Sequence, residues 1–416
     1  MKIGFIHQNF PGQYRHLAAA LVQRGDEVVA IGGPTAKPLA GLTLHRYGLP
    51  PPNKLPHGHP WSADFQIKAV RAECVGNLVA RLMEEGWRPD VVVGHPGWGE
   101  LLAIKDLLPH TPVVHQVEFV YQLHGGDCDF DPEFAKTCWS QHTRLRLKRA
   151  PQLLALHDMD WGISPTRWQA RTAPAMFHDR ISVIHEGIDT QRIAPKPDRS
   201  IRLRKAGLQF QPGDELISFA ARNLEPYRGF HTFVRMLPLL QRLRPHAHVV
   251  IVGGDRVSYG FTPPQGGSWR QVLLQELDGN LDLSRIHFVG SIPHSVLHDL
   301  FRVTACHVYL TYPFVLSWSM LEAMACGALL IGSATAPVQE VIQSGHNGLL
   351  VDFFDGEAMA HTIANVLADP SAFQPLRVQG RQSVVRDYDL LSQCLPRQLQ
   401  LLDQLAAGQQ PTLRGW

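Results

Sequence analysis

The sequence predicts an α/β fold of two successive Rossmann-like domains, each an open parallel sheet flanked by helices. Three observations predict it. The chain has 416 residues, more than one hydrophobic core usually organises. A strand–loop–helix–strand unit starts at residue 2 and recurs through the first half. A second series of the same kind starts after a polar, basic stretch near residue 195.

In the first series, Lys2–Ile6 reads as a strand, and His7-Gln8-Asn9-Phe10-Pro11-Gly12 as a loop. The helix that follows puts Tyr14, Leu17, Ala18 and Leu21 on one face, and Gly25 stops it before the strand Glu27–Ile31. The Pro/Gly-rich segment Gly48–Pro60 reads as a surface excursion. The pattern resumes with the strand Asp90–Val93, a helix near Glu100–Leu108 and the strands Pro112–Val117, Gly162–Ser164 and Ile181–Ile184. Pro195-Lys196-Pro197-Asp198-Arg199 reads as a linker. The second series runs from the strand Leu216–Ala220 through the helix Phe230–Leu243, whose Phe230, Phe233, Val234, Leu237 and Leu240 share one side, to the strand His248–Val252. Ile286–Val289, His307–Leu310, Leu329–Gly332 and Gly348–Val351 extend it, and Leu376–Leu405 is helical in pattern with Pro396 as a break. These boundaries give an N-terminal domain over 1–195, a second over 196–385 and a helical segment over 386–416.

Composition narrows the function classes. With 39 basic and 37 acidic residues the net charge is +2, so no global field draws the chain to nucleic acid or to an anionic membrane. The six cysteines lack metal-ligand or redox spacing and read as reduced thiols of a cytoplasmic protein. The N-terminus lacks the apolar core of a signal peptide, and no segment approaches the length of a membrane span. No Gly-x-Gly-x-x-Gly follows the first strand or Val252, which weighs against a nicotinamide or flavin enzyme.

Chemistry concentrates in two segments of the second half. Tyr312 to Gly327 reads as a strand end, a loop and a helix start, whose unpaired N–H groups favour an anion. Glu322, one turn inside, either accepts hydrogen bonds from ribose hydroxyls or closes a capping box with Ser319. Arg222 and Arg228, with Gly229 beside them, stand between a strand and a helix, where guanidinium forks suit phosphate oxygens.

Glu322-Ala323-Met324-Ala325-Cys326-Gly327, Gln339-Glu340-Val341-Ile342 and Asn347-Gly348-Leu349-Leu350-Val351 resemble the family-four retaining glycosyltransferases of the GT-B fold. Asn9-Phe10-Pro11-Gly12-Gln13, His95-Pro96-Gly97-Trp98-Gly99-Glu100 and Phe130-Asp131-Pro132-Glu133-Phe134 resemble one subgroup of it. The resemblance implies two domains facing across a cleft, with the C-terminal helix crossing back to the first. It implies a UDP- or GDP-sugar donor held by Gly12, Arg222, Arg228, Ile292, Ser317, Trp318, Ser319 and Glu322, with Ile292 pairing its backbone with the base. Arg222, Arg228, Glu118 and His95 are the implied catalytic groups, and Trp98, Asp131 and Glu133 the implied acceptor contacts. Asp131 and Glu133 read by themselves as exposed-loop carboxylates.

The implied reaction retains anomeric configuration with no metal and no cofactor beyond the donor. Its acceptor is a glycan, a lipid-linked intermediate or a small molecule, with peripheral membrane contact compatible and nucleic acid excluded. A GT-B epimerase or hydrolase and a silent nucleotide- or glycan-binding scaffold remain alternatives. One departure is plain: Phe314 stands where the family carries the first of two glutamates, which holds donor-sugar hydroxyls.

Overall fold

Most strands of the two main sheets come from apolar runs that the fold buries; the edge strand Thr43–Arg46, with no buried residue, does not. The computed structural model describes residues 1–51, 53, 58–135, 138–203 and 207–412. In chain order the first elements are β1 (Lys2–Ile6), α1 (Arg15–Arg24), β2 (Glu27–Gly32), β3 (Thr43–Arg46), α2 (Ala63–Glu84), β4 (Val91–Gly94), α3 (Ile104–Leu107), β5 (Val113–Gln116), α4 (Trp139–His157), β6 (Trp161–Ser164), α5 (Arg167–Arg171) and β7 (Ile181–Val183). Then come β8 (Ile201–Leu203), β9 (Leu208–Phe210), β10 (Leu216–Asn223), α6 (Phe230–Leu243), β11 (His248–Gly254), α7 (Trp269–Glu276), β12 (Ile286–Gly290), α8 (His294–Val303), β13 (Cys306–Tyr309), α9 (Trp318–Ala325), β14 (Leu330–Ser333), α10 (Ala336–Gln339), β15 (Leu349–Val351), α11 (Gly356–Ala368), α12 (Gln374–Tyr388) and α13 (Leu395–Ala406).

The chain divides into Met1–Gly187 with Leu390–Trp416, and Ile188–Asp389. The first unit holds a seven-stranded sheet in the order β3-β2-β1-β4-β5-β6-β7 and the second a six-stranded sheet in the order β12-β11-β10-β13-β14-β15. All their pairings are parallel. Both orders begin at the centre, run to one edge and reverse, as in the doubly wound nucleotide-binding fold. β8 and β9 form a small antiparallel pair in the second unit.

Local chemistry sets the ends. Gly25, at φ 91°, closes α1 by donating to the carbonyls of Leu21 and Val22, a conformation that L side chains rarely adopt. α6 buries the five residues expected on its inner face. Arg377 and Arg381 of α12 donate to the carbonyls of Gly327 and Ala325, satisfying acceptors where α9 ends.

Several expectations need correction. The division falls at Gly187 and Ile188, not at 195, because the 190–193 backbone is held within the second unit by Arg381. The supposed linker from Pro195 therefore lies inside that unit. The later division falls at Asp389 and Leu390, not at 385. Pro396 does not break a helix: it sits in the first turn of α13, where its missing N–H costs nothing. α13 packs Leu401, Leu402 and Leu405 into the first unit's core with Ile3, Phe5 and Leu21. The expected helix over 100–108 shrinks to α3, while β3, α2 and α4 were not expected. Gly48–Pro60 falls partly outside the described residues.

Candidate functional site

Open α/β sheets gather ligands at the carboxyl ends of strands where the strand order reverses. In the second unit that point lies between β10 and β13. β10 runs on to Asn223 after its register with β11 shifts past Ala220, so Arg222 lies on the strand and not beyond it, as the shorter strand had implied. Arg222 is exposed and forms no ion pair among the described residues. Glu225 is fully buried, and its carboxylate accepts the backbone N–H groups of Ser258, Tyr259 and Gly260. One side chain thus fixes the loop after β11 against the turn after β10. Gly229 then takes φ 66°, and a Cβ there would lie 2.3 Å from Cβ of Leu310.

That turn sinks Arg228 to 7% exposure. Its Nη1 donates to Thr311 Oγ1 at 2.8 Å, to the Val315 carbonyl at 3.0 Å and to the Tyr309 hydroxyl at 3.2 Å. The guanidinium carbon lies 5.4 Å from the Tyr259 ring centre and 5.8 Å from that of Phe314. Among the described residues no carboxylate stands within ion-pair distance of it. A buried cation without a counter-charge is costly unless an anion joins it.

The Tyr309 hydroxyl also accepts the N–H of Ser317, at 2.8 Å. Ser317 is the N-cap of α9, and no side chain caps that helix. Arg228 and the start of α9 are therefore tied to the same phenol. The capping box of Ser319 and Glu322 does not form: Ser319 Oγ meets Ser317 Oγ at 2.9 Å. Glu322, itself buried, faces His298 Nε2 at 3.5 Å and His294 Nδ1 at 4.0 Å. Trp318 and Ile292 are half-buried against the second unit's core. Phe314 is buried edge-on to Tyr227, with ring centres 5.5 Å apart.

In the first unit the order reverses between β1 and β4. Gly12, at φ 47°, lies over the His7 ring, where a Cβ would come within 3.0 Å of the imidazole. Burial pushes the His7 pKa down to about 3, so the ring is neutral near pH 7. After β4, His95 Nδ1 accepts the N–H of Gly97 at 2.9 Å, which places the neutral ring's proton on Nε2. Nε2 then donates to Glu118 at 3.3 Å, and Trp98 stacks on the same imidazole. With both nitrogens engaged, His95 orients Glu118 and offers no free lone pair as a base.

Glu100, fully buried, accepts the N–H of Gln8 at 3.0 Å and the Tyr47 hydroxyl at 2.7 Å. Burial raises its pKa. It is a strut between the β4 end and the loop after β1. Asp131 corrects the expectation of an exposed carboxylate: it is buried, and one oxygen accepts the N–H of Glu133, which is exposed.

Two groupings thus emerge, each within one unit: Arg228 with Ser317, Phe314 and the start of α9, and His95 with Trp98 and Glu118. Sequence reasoning missed His7, Glu225, Tyr259, His294 and His298. His7 and Glu225 could have been found from their places after strand ends; the two histidines, four apart at a helix start, could have been paired with each other but not with Glu322.

Residues 24–193 match the model of the glycosyl transferase family 4 group, and residues 204–383 that of glycosyl transferases group 1. The GDP-mannose-dependent alpha-(1-6)-phosphatidylinositol monomannoside mannosyltransferase of Mycolicibacterium smegmatis is 28% identical over 204 residues, 47% of this chain and 49% of that one. The D-inositol 3-phosphate glycosyltransferase of Corynebacterium jeikeium is 25% identical over 370 residues, 85% and 82% of the two chains. For the mannosyltransferase and for the Mycolicibacterium gilvum D-inositol 3-phosphate glycosyltransferase, the chain spans about half the relative's length, 49% and 44%.

Among solved structures, the sucrose-phosphate synthase of Thermosynechococcus elongatus superposes with a TM-score of 0.72 at 20% identity, over 98% of this chain and 100% of that one. Anabaena HepE in complex with UDP does so at 0.67 and 16%, over 97% and 100%. These are likenesses of fold. No helix among the described residues is long and apolar enough to cross a membrane. The chain belongs with the glycosyltransferases, carrying a family 4 group domain in its first half and a group 1 domain in its second.

Proposed function

We propose that the protein is a retaining, metal-independent, cytoplasmic hexosyltransferase that moves a sugar from a UDP- or GDP-linked donor to a glycan, lipid-linked or small-molecule acceptor. The observation that carries this reading is the buried, carboxylate-free guanidinium of Arg228, tied through Tyr309 to the uncapped start of α9. A diphosphate supplies the counter-charge that this position lacks. Arg222, Arg228 and the backbone N–H groups of Trp318 and Ser319 stabilise charge on the leaving diphosphate as the glycosidic bond breaks, with Ser317 holding the helix start to Tyr309. Glu322 accepts the ribose hydroxyls, and the Ile292 backbone meets the base.

In the first unit, Gly12 lets the loop after β1 approach a ligand closely, Glu118 is aimed by His95, and Trp98, Asp131 and Glu133 contact the acceptor. The subgroup motifs at Asn9–Gln13 and His95–Glu100 are consistent with the local roles of Gly12, His95 and Glu100 described above. Phe314 offers an apolar wall in place of the carboxylate that the family aims at donor hydroxyls. It therefore favours a donor sugar whose facing edge is poor in hydroxyls.

The relatives named above include one dependent on GDP-mannose and a fold neighbour in complex with UDP, so the base is decided by experiment. A thermal-shift series over UDP, GDP, dTDP and their sugars is expected to give a clear rise with one diphosphate and less with its nucleoside. No shift with any nucleotide would overturn the donor reading. A shift without donor turnover across an acceptor panel would favour a silent binder, and turnover without any acceptor a hydrolase or epimerase.

A further inference from the structure

α8 and α9 bring together three side chains able to hold a metal, two of them histidines that the transfer reaction does not use. His294 and His298 are four apart on α8 and so lie on one face of it. Glu322 projects from α9 toward both, and the ligand atoms of all three lie within 4.8 Å of one another. His298 Nε2 is buried without a hydrogen bond, although the carboxylate oxygen of Glu322 lies 3.5 Å away. His294, at the helix start, is exposed and can swing without disturbing the core.

We propose that His294 Nδ1, His298 Nε2 and a carboxylate oxygen of Glu322 bind a late first-row divalent cation of the zinc class. Bonds of about 2.1 Å in tetrahedral array place ligand atoms about 3.4 Å apart. Here Glu322 Oε2 lies 3.5 Å from His298 Nε2 and Oε1 4.0 Å from His294 Nδ1, with one ligand atom of each residue within 4.8 Å of the others, so rotation of the exposed His294 completes three corners on one carboxylate oxygen. Two imidazoles and one carboxylate suit zinc, cobalt, nickel and copper; magnesium prefers oxygen ligands and retains its waters. The fourth corner takes water.

The consequence for the enzyme rests on the proposed function. Glu322 is the carboxylate assigned to the donor ribose, so an ion held on it withdraws that acceptor and competes with the nucleotide. A reaction that needs no metal would then be inhibited by one, through a residue of its own donor site.

The test uses the full chain, stripped of metal, titrated with Co²⁺ and followed by visible absorption. A single site is expected, with a d–d spectrum of nitrogen and oxygen ligands and none of the thiolate charge-transfer absorption that the exposed Cys128 or Cys138 would add. His294→Ala and His298→Ala should each weaken Co²⁺ binding by more than the roughly tenfold that a ligand's hydrogen-bonding neighbour contributes. Mg²⁺ should not displace the ion. Unchanged Co²⁺ affinity in His294→Ala, which lies on the surface and keeps the fold, would overturn the site.

Calorimetry of UDP and GDP with and without Zn²⁺ tests the competition. Zinc should weaken nucleotide binding in the wild type and not in His294→Ala. If Co²⁺ binds as expected and zinc leaves the nucleotide affinity unchanged, the competition is refuted and the metal site stands. If neither nucleotide binds even without zinc, the donor reading fails while the spectroscopic result still decides the metal site.

Discussion

Replacing Arg228 tests the diphosphate reading most directly. The internal hydrogen bonds of the guanidinium all leave from Nη1, toward Tyr309, Thr311 and Val315. The fork carries five N–H donors, so those on Nε and Nη2 remain for a ligand. A hydrogen bond to a charged partner contributes about 1.5–3 kcal/mol. Losing one such bond to the diphosphate therefore weakens binding roughly ten- to 150-fold. Arg228→Ala should lower the affinity for UDP or GDP by that factor while leaving uridine or guanosine within about twofold, as read by calorimetry. Arg228→Lys, which keeps the charge and loses the fork, should fall between them. Because alanine also strips a donor from Thr311 and Tyr309, a melting curve of each variant must accompany the titrations. Arg222→Ala is the cleaner companion, since that exposed side chain forms no ion pair among the described residues. Equal losses for the diphosphate and the nucleoside in a folded Arg228→Ala would refute the reasoning.

Two further predictions concern the scaffold. Glu225→Gln turns an amide toward three backbone donors, at Ser258, Tyr259 and Gly260, that now share a carboxylate. A loss of about 2–4 kcal/mol in urea unfolding is expected, with faster amide exchange at Tyr259 and Gly260, whereas unchanged exchange there would dismiss the strut. The second concerns pH: burial lowers the pKa values of His7, His115 and His185 in the first unit, and of His307 in the second, to about 3. Since the unfolded imidazoles titrate near 6.5, their neutral burial contributes fully above that pH and is lost as pH falls from about 6.5 toward 3. Between about pH 7 and pH 5.5 each should cost about 1 kcal/mol, so the first unit, which holds three of them, should lose about 3 kcal/mol in amide exchange. Equal or greater stability of the first unit at the lower pH would contradict this.

The sheets were legible because buried parallel strands read as short apolar runs, and those runs named the core of nearly every strand. α2 and α4 were not. α4 buries only Pro151, Gln152, Ala155 and Leu156, a stripe that no apolar period reveals, and it contains a proline. In α2 the inward face includes Lys68, whose Nζ donates to Asp64 at 2.6 Å while its stem is covered. Site residues next to strand ends, Arg228, His95 and Glu118, could be named from the sequence. Their partners could not, because each contact depends on which strands lie side by side. Glu118 meets His95 only because β4 pairs with β5, and Glu322 meets His298 only because α8 and α9 pack together.

Phe314 shows how a single departure from the family pattern changes the electrostatics of such a place. A glutamate at 314 would set a carboxylate near a buried guanidinium and supply its counter-charge from within the protein. The phenyl ring lies 5.8 Å from that guanidinium and offers only the weaker attraction of its π face, as does Tyr259 at 5.4 Å. Both rings also pack on each other, with centres 5.0 Å apart, so they exclude water from the same side of the cation. The charge of Arg228 is then neither paired nor well hydrated, which raises the gain when a diphosphate arrives. The same substitution removes a hydrogen-bond acceptor for the sugar. Donor affinity here should therefore lean on the pyrophosphate more, and on sugar hydroxyls less, than in a protein that keeps both glutamates.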